Sequence, residues 1–340
     1  MKKYDIKENI LVFVEAIQSY EIPDFIKLVN LAQTEFSKEV SNIEIMSGGL
    51  TNKNFKIITT DNTSIVIRIA GKGTAKYINR PAEKHNASLM ASMGIAPEIY
   101  YYDPKTGSQI CEFIEADTMH PEDFINNPEI VIKAAEVMGR YHNSGIKFKN
   151  EFSPIVKIKE YLEILKGNSF DKRYDDWDKI AEKVEQIERS YKNNPPKLVP
   201  CHNDTIAENF MYDGKAMYIV DWEYGGMNDR FYDIACVCVE NPLPKDKEEL
   251  YLHTYFGKKP TEEQRARLII NKLLVNAHWS MWSLVQIIYG KEHDFYWEYG
   301  RTRAVDCIEI INDPNFNSYI KIINDPNFES FNNIWGNSLK

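Results

Sequence analysis

The stretch "VPCHNDTIAENFMY", residues 199–212, is the part of the sequence from which the fold can be worked out. It begins in a short apolar strand and continues into a polar segment that carries Asp204 and Asn209. The hairpin "FMYDGKAMYIVDW", residues 210–222, follows directly and turns at an Asp-Gly pair, which is typical of a tight β-turn. Because a hairpin brings its two ends together, we expect Asp221 to lie near Asn209 and Asp204.

These three residues combine two carboxylates with an amide oxygen, which are ligands suited to Mg²⁺. The ion takes only a few protein ligands and fills its remaining positions with water and phosphate oxygens. A carboxylate beside it that is not a ligand can accept a proton from a substrate hydroxyl. Each residue by itself is also typical of a turn or of the end of a strand. Their combination and spacing favour a single site.

The hydrophobic period divides the chain into two parts on either side of a hinge near residues 112–118. Residues 1–38 predict a helical extension, and residues 40–116 predict a sheet with one helix, in the order strand, strand, strand, helix, strand, strand. Residues 117–340 are mainly helical, and the longest helix is expected at 261–290. The sequence therefore predicts an α+β fold with a small β-rich N-terminal lobe and a larger helical C-terminal lobe.

The overall composition excludes several classes of protein. The 340 residues include 41 basic and 50 acidic side chains, a net charge of −9, which makes the chain a poor candidate for binding nucleic acid or an anionic membrane. The five cysteines show no metal-site or redox spacing and are expected to be free thiols in a reducing compartment. The N-terminus does not have the pattern of a signal peptide, and no apolar run reaches about 18 residues. We expect a cytoplasmic protein without membrane insertion.

Two motifs carry a resemblance to a known group of enzymes. The segment "HNDTIAEN" resembles the His-x-Asp-x-x-x-x-Asn pattern of the protein-kinase-like phosphotransferases, the group that contains aminoglycoside kinases and choline kinases. The segment "YIVDWEY" resembles the metal-binding segment of the same group. The resemblance implies that Asp204 is the catalytic base, that Asn209 and Asp221 bind Mg²⁺, and that His202 is structural. Glu223 would be an auxiliary ligand of the metal site.

The segment "SGGLTNKNF", residues 47–55, stands between two predicted strands, where this group places its phosphate-covering loop. Backbone N–H groups and the side chains of Ser47, Thr51 or Asn52 would face the phosphates of a nucleotide. A Gly-Gly pair with polar neighbours would serve equally well as an ordinary hairpin loop, so the position of the segment supports this interpretation more than its composition does.

The resemblance implies that the N-terminal lobe binds nucleotide, and it gives four further residues that are expected to bind ATP. Arg68, in "IVIRIAG", stands where protein kinases have a lysine and choline kinases an arginine, and a guanidinium can hold phosphate oxygens bidentately. Glu83, on the following helix, would be its carboxylate partner. The segment "CEFIE", which includes Glu112 and Ile114, would form the hinge whose backbone contacts adenine.

The C-terminal half indicates the second substrate. Trp279 and Trp282 are three residues apart on one predicted helix, and Tyr296 and Tyr299 are three apart on the next. Aromatic residues at this spacing are often core, but facing rings also bind quaternary ammonium groups, which cannot donate hydrogen bonds, through cation–π attraction. Both segments resemble those of choline kinases.

Three other residues follow the same family pattern, and the segments "GGLTNKN" and "INR" are most similar to those of bacterial choline kinases. Arg303 follows the tyrosine pair, Glu240 stands where a carboxylate of the acceptor pocket is expected, and Asp233 stands in a structural position. The resemblance implies transfer of the γ-phosphate of ATP to choline, with Mg²⁺ as the cofactor of ATP. The sequence does not give the oligomeric state.

Several alternatives to a choline kinase remain open. Ethanolamine could enter the same aromatic site, whereas a polycationic aminoglycoside would need many acidic residues instead of rings. A catalytically inactive protein that binds choline or nucleotide would have no chemical need for Asp204, Asn209 and Asp221 together. A purely structural module would leave this polar cluster without an explanation.

Overall fold

The computed structural model describes residues 21–36, 39–46, 52–71, 74, 78–168 and 173–326. These residues form two compact units. The first unit holds the described residues up to Met119 together with Glu208–Gly225. The second unit holds His120–Ala207 and the described residues from Gly226 onward. The predicted hairpin of residues 210–222 is therefore part of the first unit.

The described secondary structure has the following bounds. The strands are β1 (Val40–Met46), β2 (Lys53–Thr59), β3 (Ser64–Ile69), β4 (Ile99–Tyr102), β5 (Gln109–Glu112), β6 (Asp117–Thr118), β7 (Leu198–Cys201), β8 (Phe210–Tyr212), β9 (Met217–Ile219) and β10 (Gly226–Asp229). The α-helices are α1 (Ile22–Thr34), α2 (Arg80–Ser92), α3 (Pro121–Asn126), α4 (Pro128–His142), α5 (Pro154–Leu165), α6 (Trp177–Asn193), α7 (Arg230–Glu240), α8 (Lys245–Phe256), α9 (Glu262–Ile288), α10 (His293–Ile311) and α11 (Phe316–Asn324).

The first unit is built on a five-stranded antiparallel sheet with the order β1-β2-β3-β5-β4. Phe55 lies opposite Ile67 and Ile57 lies opposite Ile65 across β2 and β3, and all four side chains are buried. The alternation of buried positions places these side chains on one face of the sheet, as the period-2 pattern predicts. The predicted order of strands and helix between residues 40 and 116 is confirmed.

Helix α1 contributes to the hydrophobic core of this sheet. Its residues Phe25, Leu28, Val29 and Ala32 are buried in one cluster with the apolar side chains of β1, β2, β3 and β5, and the rings of Phe25 and Phe55 are 4.7 Å apart. The second of the two helices predicted in the N-terminal extension is thereby confirmed. The first, predicted from "ENILVFVEAIQS", lies outside the described residues.

The predicted hairpin is formed by β8 and β9, which pair in a three-stranded sheet with the order β6-β8-β9. Its turn lies at Asp213 and Gly214. The Asp213 carboxylate accepts hydrogen bonds from the backbone N–H groups of Lys215 and Ala216, and Gly214 has a φ of +86°. The Val220 N–H donates to the Asn209 carbonyl over 2.9 Å, so the two ends of the hairpin meet as predicted.

The second unit is mainly helical, and β7 and β10 form its antiparallel pair. Helix α9 packs against α5, α7, α10 and α11. It begins with the predicted capping box, in which Thr261 Oγ1 accepts from the Gln264 N–H over 3.2 Å and Gln264 Oε1 accepts from the Thr261 N–H over 2.7 Å. A Cβ at Gly300 of α10 would lie 2.0 Å from Ser283 Oγ, so the close approach of α9 and α10 requires glycine there.

None of the helices in the described part of the chain has both the length and the apolar character that crossing a membrane would require.

Candidate active site

Arg68 is the centre of a buried charged cluster in the first unit. Its Nη1 donates to Asp221 Oδ1 over 2.7 Å, and its Nη2 donates to Glu83, so one guanidinium joins β3, α2 and the end of β9. Burial lowers the pKa of Arg68, but the charges of Glu83, Asp221 and Glu223 raise it more, so the side chain stays charged. The structure thus brings together Arg68 and the partner that was predicted for it.

Arg80 is a second cation in this cluster. Its Nη1 donates to Glu83 Oε2 over 2.6 Å and to Glu223 Oε2 over 3.5 Å, and its Nη2 donates to Thr74. A Cβ at Gly107, where φ is +85°, would lie 2.4 Å from Arg80 Nε, so a glycine there leaves room for the guanidinium. Sequence analysis missed Arg80, although its spacing of three residues from Glu83 on α2 indicates an ion pair on one helix face.

Tyr102 at the end of β4 was also missed. Its hydroxyl donates to Glu83 Oε2 over 2.6 Å. Burial raises the pKa of Tyr102, and the Glu83 carboxylate raises it further, so the phenol keeps its proton and remains a donor. No pattern in "YYYD" distinguishes this tyrosine from its neighbours, because the contact depends on how β4 is placed in the sheet.

Asn52 contacts carboxylates instead of solvent. Its Nδ2 donates to Asp221 Oδ2 over 3.0 Å and to Glu223 Oε2 over 3.3 Å, and its Oδ1 accepts from the Gly71 N–H over 3.2 Å. The side chain is 3% exposed. Asn52 therefore lies at the end of the phosphate-loop segment and directly beside the acidic residues predicted to bind metal.

The donor atoms in this cluster suit a divalent cation. Carboxylate oxygens of Glu83, Asp221 and Glu223 lie within 4.8 Å of one another. Burial, and then the negative charge of Asp221, raise the pKa of Glu223 to about 8, and a bound cation would relieve this repulsion. Asp221 has a φ of +62°, a left-handed conformation that is uncommon outside functional and turn positions. Asn209 is buried beside it at the base of the hairpin.

The predicted hinge residues lie at the end of β5. Glu112 and Ile114 line a cavity of about 650 Å³ within the first unit, together with residues from the end of α2, from β4 and from the hairpin. The Glu98 N–H donates to Glu112 Oε2 over 3.1 Å. The two other residues predicted to face the phosphates, Ser47 and Thr51, lie outside the described residues.

In the second unit, Asp233 of α7 fixes the backbone of the predicted catalytic loop. Its Oδ2 accepts from the His202 N–H over 2.8 Å, and its Oδ1 accepts from the Asn203 N–H over 2.7 Å. Burial raises the pKa of Asp233, but hydrogen bonding and charge from His142 lower it more, so it remains ionised. The loop then leads to Asp204, whose N–H donates to His202 Nδ1 over 3.3 Å. His202 and Asp233 thus both make hydrogen bonds to the backbone of this loop.

A second group of potential metal ligands, His142, Cys201 and Asp233, lies beneath this loop. Asp233 also accepts hydrogen bonds from Tyr141 over 2.7 Å and contacts His142 Nε2 at 3.1 Å, so its oxygens are already committed. Burial raises the pKa of Cys201 well above its ordinary value, which keeps the thiol protonated. The hydrogen bonds of Asp233 in this group hold the loop in place.

The four predicted aromatic residues lie together at the junction of α9 and α10 and are called the aromatic cluster below. The rings of Trp279 and Trp282 are 5.4 Å apart, and those of Tyr296 and Tyr299 lie 5.6 Å and 6.4 Å from Trp282, each pair nearly edge to face. The charge of Asp204 contributes to a raised pKa of Tyr299, after burial and the charge of Glu240. The predicted base therefore lies within electrostatic range of the aromatic cluster, in the same unit.

Glu240 and Arg303 form a buried ion pair beside the aromatic cluster. Arg303 Nη2 donates to Glu240 Oε2 over 2.6 Å, and the two side chains are 13% and 6% exposed respectively. The Tyr299 hydroxyl lies 3.4 Å from both Glu240 oxygens. The structure thus brings together all six residues predicted to contact the acceptor substrate in addition to Asp204.

The chain is similar in sequence to a known protein family. The sequence matches the model of the family described as choline/ethanolamine kinase over residues 43–306. It is 29% identical over 259 residues to the protein LicA of Haemophilus influenzae. This alignment covers 73% of this chain and 75% of LicA.

Two solved structures are similar as well. The choline kinase LicA from Streptococcus pneumoniae shares 28% identity with a TM-score of 0.72, over 84% of this chain and 99% of that one. A structure of LicA in complex with AMP shares 27% identity with a TM-score of 0.73, over 89% of this chain and 100% of that one.

Proposed function

The chain belongs to the choline/ethanolamine kinase family, and we propose that it transfers the γ-phosphate of ATP to the hydroxyl of choline, giving phosphocholine and ADP. The observation that carries this proposal is the aromatic cluster, which lies in the same unit as Asp204 and within range of its charge. A quaternary ammonium group can be bound by ring faces, and its alcohol can then lose its proton to a nearby carboxylate.

The groups that bind ATP in this proposal lie in the first unit. Arg68 binds phosphate oxygens, Glu83 holds its guanidinium, and the backbone at Glu112 and Ile114 contacts adenine. The segment that contains Ser47, Thr51 and Asn52 covers the phosphates. The complex of a related protein with AMP supports binding of an adenine nucleotide by this fold.

Asn209 and Asp221 are the residues that we assign to a Mg²⁺ ion bound with ATP, with Glu223 as an auxiliary ligand. The carboxylate oxygens of Asp221 and Glu223 and the raised pKa of Glu223 fit a divalent cation. Such an ion, when bound, would neutralise charge on the phosphates. Asn52 and Arg68 hold the Asp221 carboxylate in place before the ion binds.

Asp204 accepts the proton of the choline hydroxyl in the proposed reaction. The hydroxyl oxygen then forms a bond to the γ-phosphorus, the bond from that phosphorus to the β,γ-bridging oxygen breaks, and ADP leaves with the electron pair. The aromatic cluster orients choline by its trimethylammonium group, and the ion pair of Glu240 and Arg303 lies beside the rings. Asp233 holds in position the loop that carries Asp204.

A coupled assay of ADP release with Mg·ATP and choline, ethanolamine or kanamycin tests this function. We expect release that depends on choline, because the cluster offers ring faces and few carboxylates. Release with kanamycin alone, or no release that depends on any acceptor, would overturn the proposal. The second outcome would instead favour a binding protein without catalytic activity.

Ethanolamine kinase is the second candidate, because the matching family includes both activities. The same assay separates the two candidates by the ratio of kcat/KM for choline to kcat/KM for ethanolamine. A ratio well below one would assign the chain to ethanolamine while leaving the proposed chemistry intact.

A further inference from the structure

The carboxylate of the acceptor site is already neutralised by the protein itself. Glu240 is held by Arg303 over 2.6 Å, and the Tyr299 hydroxyl lies within 3.4 Å of both its oxygens. Arg303 is fixed further by the Val239 carbonyl at 3.3 Å and by Asn276 Oδ1 at 3.5 Å. Both members of this ion pair are largely buried, so solvent screens their attraction only weakly.

Arg303 also occupies part of the aromatic surface. Its Cζ lies 5.0 Å from the centre of the Tyr299 ring, within the range of a cation–π contact. Burial lowers the pKa of Arg303, but Glu240 and Tyr299 raise it more, so the guanidinium remains charged. A cationic substrate therefore meets a pair of charges that sum to zero and, on Tyr299, a ring that already contacts a cation.

This arrangement affects different ammonium groups unequally. A trimethylammonium group has no N–H donors, so it loses little when no carboxylate is available and still gains from the ring faces. A primary ammonium has three N–H donors, and burying them without acceptors costs the interactions that they made with water. To bind Glu240, it would have to displace Arg303 or share the carboxylate with it.

We infer that Arg303 is a specificity-determining residue: by neutralising Glu240 it makes the acceptor site select quaternary ammonium alcohols over primary ones. This inference rests on the proposed function, and it names the substrate class within that function. Arg303 acts here through Glu240, as a positioning residue, and takes no part in the transfer of the phosphoryl group.

The first test uses the unaltered protein with a series of acceptors: choline, N,N-dimethylethanolamine, N-methylethanolamine and ethanolamine. We expect kcat/KM to fall each time that an N–H replaces a methyl group, by about tenfold or more across the whole series. Equal values for all four acceptors would overturn the inference but not the proposed function. Absence of ADP release with every acceptor would contradict the proposed function itself.

The second test is Arg303→Met, which removes the cation that is paired with Glu240. The ratio of kcat/KM for choline to that for ethanolamine should fall by about tenfold, mainly through the two KM values. Arg301→Met is the matched control, because Arg301 lies two residues earlier on α10 in an exposed pair with Glu298. An unchanged ratio in Arg303→Met, or an equal change in the control, would contradict the inference.

The double variant Glu240→Gln/Arg303→Met removes both charges of the ion pair. If Arg303 acts through Glu240, this variant keeps the preference for choline that Arg303→Met loses. A shift toward ethanolamine as large as in the single variant would show that Arg303 does not act through Glu240. The acceptor series decides the question independently if Arg303→Met fails to fold.

Discussion

At the scale of single residues, the position of Asp204 depends on Asp233, which holds the two residues before it in the loop. The N–H groups of His202 and Asn203, directly before Asp204, donate to the Asp233 carboxylate. The backbone that leads to Asp204 is therefore fixed before any substrate binds. A pre-positioned carboxylate of this kind is what proton transfer requires.

Asp204→Ala should lower kcat by about 10²–10⁴-fold, the usual contribution of a general base. Nucleotide affinity, measured by calorimetry, should change little, because the residues assigned to ATP lie in the other unit. Asp178→Asn serves as a control, since the Asp178 side chain is 93% exposed. Full activity of Asp204→Ala would exclude Asp204 as the base.

His278 provides a prediction for stability against pH. Burial, and then the charge of Lys157, lower the pKa of His278 to about 3, whereas the ordinary value is 6.5. Below pH 6.5 the unfolded chain takes up a proton on this residue that the folded chain does not. The stabilisation is therefore complete above the ordinary pKa and is lost as the pH falls toward 3.

The free energy of unfolding should fall by up to about 1.4 kcal/mol for each pH unit on account of this one group. In His278→Gln, which can keep the hydrogen bond to Tyr232, urea denaturation should show a weaker dependence over the same range. His293→Gln is the control, since His293 is more than half exposed. An identical pH dependence in His278→Gln and the unaltered protein would mean that other groups account for it.

At the scale of elements, α9 and α10 together form the aromatic cluster. The spacing of three residues places each aromatic pair on one helix face, and the close approach at Gly300 brings the two faces together. The rings are largely buried, so their contribution to binding has to be separated from their contribution to stability.

Trp282→Ala should raise the KM for choline by about 30-fold, equivalent to ~2 kcal/mol of cation–π attraction, and leave the KM for ATP nearly unchanged. Phe316→Ala is the matched control, because Phe316 is a buried aromatic residue of α11, which packs on α9 outside the cluster. Both variants should lose stability, but only Trp282→Ala should affect choline. If the choline KM stays the same, the cluster is hydrophobic core and not a binding site.

At the scale of the whole molecule, the residues assigned to the two substrates belong to different units. The charged cluster around Arg68 lies in the first unit, whereas Asp204 and the aromatic cluster lie in the second. Effects of substitutions in separate groups of residues that share no partner should be nearly additive. The two binding steps can therefore be tested one at a time.

Arg68→Met should weaken nucleotide binding by about tenfold or more, because charge-assisted hydrogen bonds to phosphate are lost. Choline affinity, measured by calorimetry without nucleotide, should stay within about twofold of the original value. The variant should also be less stable, since Glu83 and Asp221 lose a buried cation. Arg265→Met is the control, because the pair of Arg265 with Glu249 is partly exposed. A parallel loss of choline affinity would show that the two sites depend on one another.

The sequence by itself determined the features that depend on neighbouring residues: a turn, a helix start and the faces of helices. The Asp213–Gly214 pair specified the turn. Through this turn, the residue before Asp221 comes to lie beside Asn209. Capping residues marked the start of α9, and helical spacing placed Trp279 and Trp282 on one face. Each of these features depends on residues only a few positions apart, so local backbone geometry is sufficient to predict them.

Only the tertiary structure decided which polar and charged groups, distant in sequence, contact one another. Tyr102 reaches Glu83 because β5 pairs with β3 and leaves β4 at the edge of the sheet, an order that local patterns do not specify. Asn52 contacts Asp221 across 169 positions of sequence, and Arg303 neutralises Glu240 across 63. The physical reason is that a buried charge requires a partner, but many residues of suitable charge exist, and packing alone selects which one is within reach.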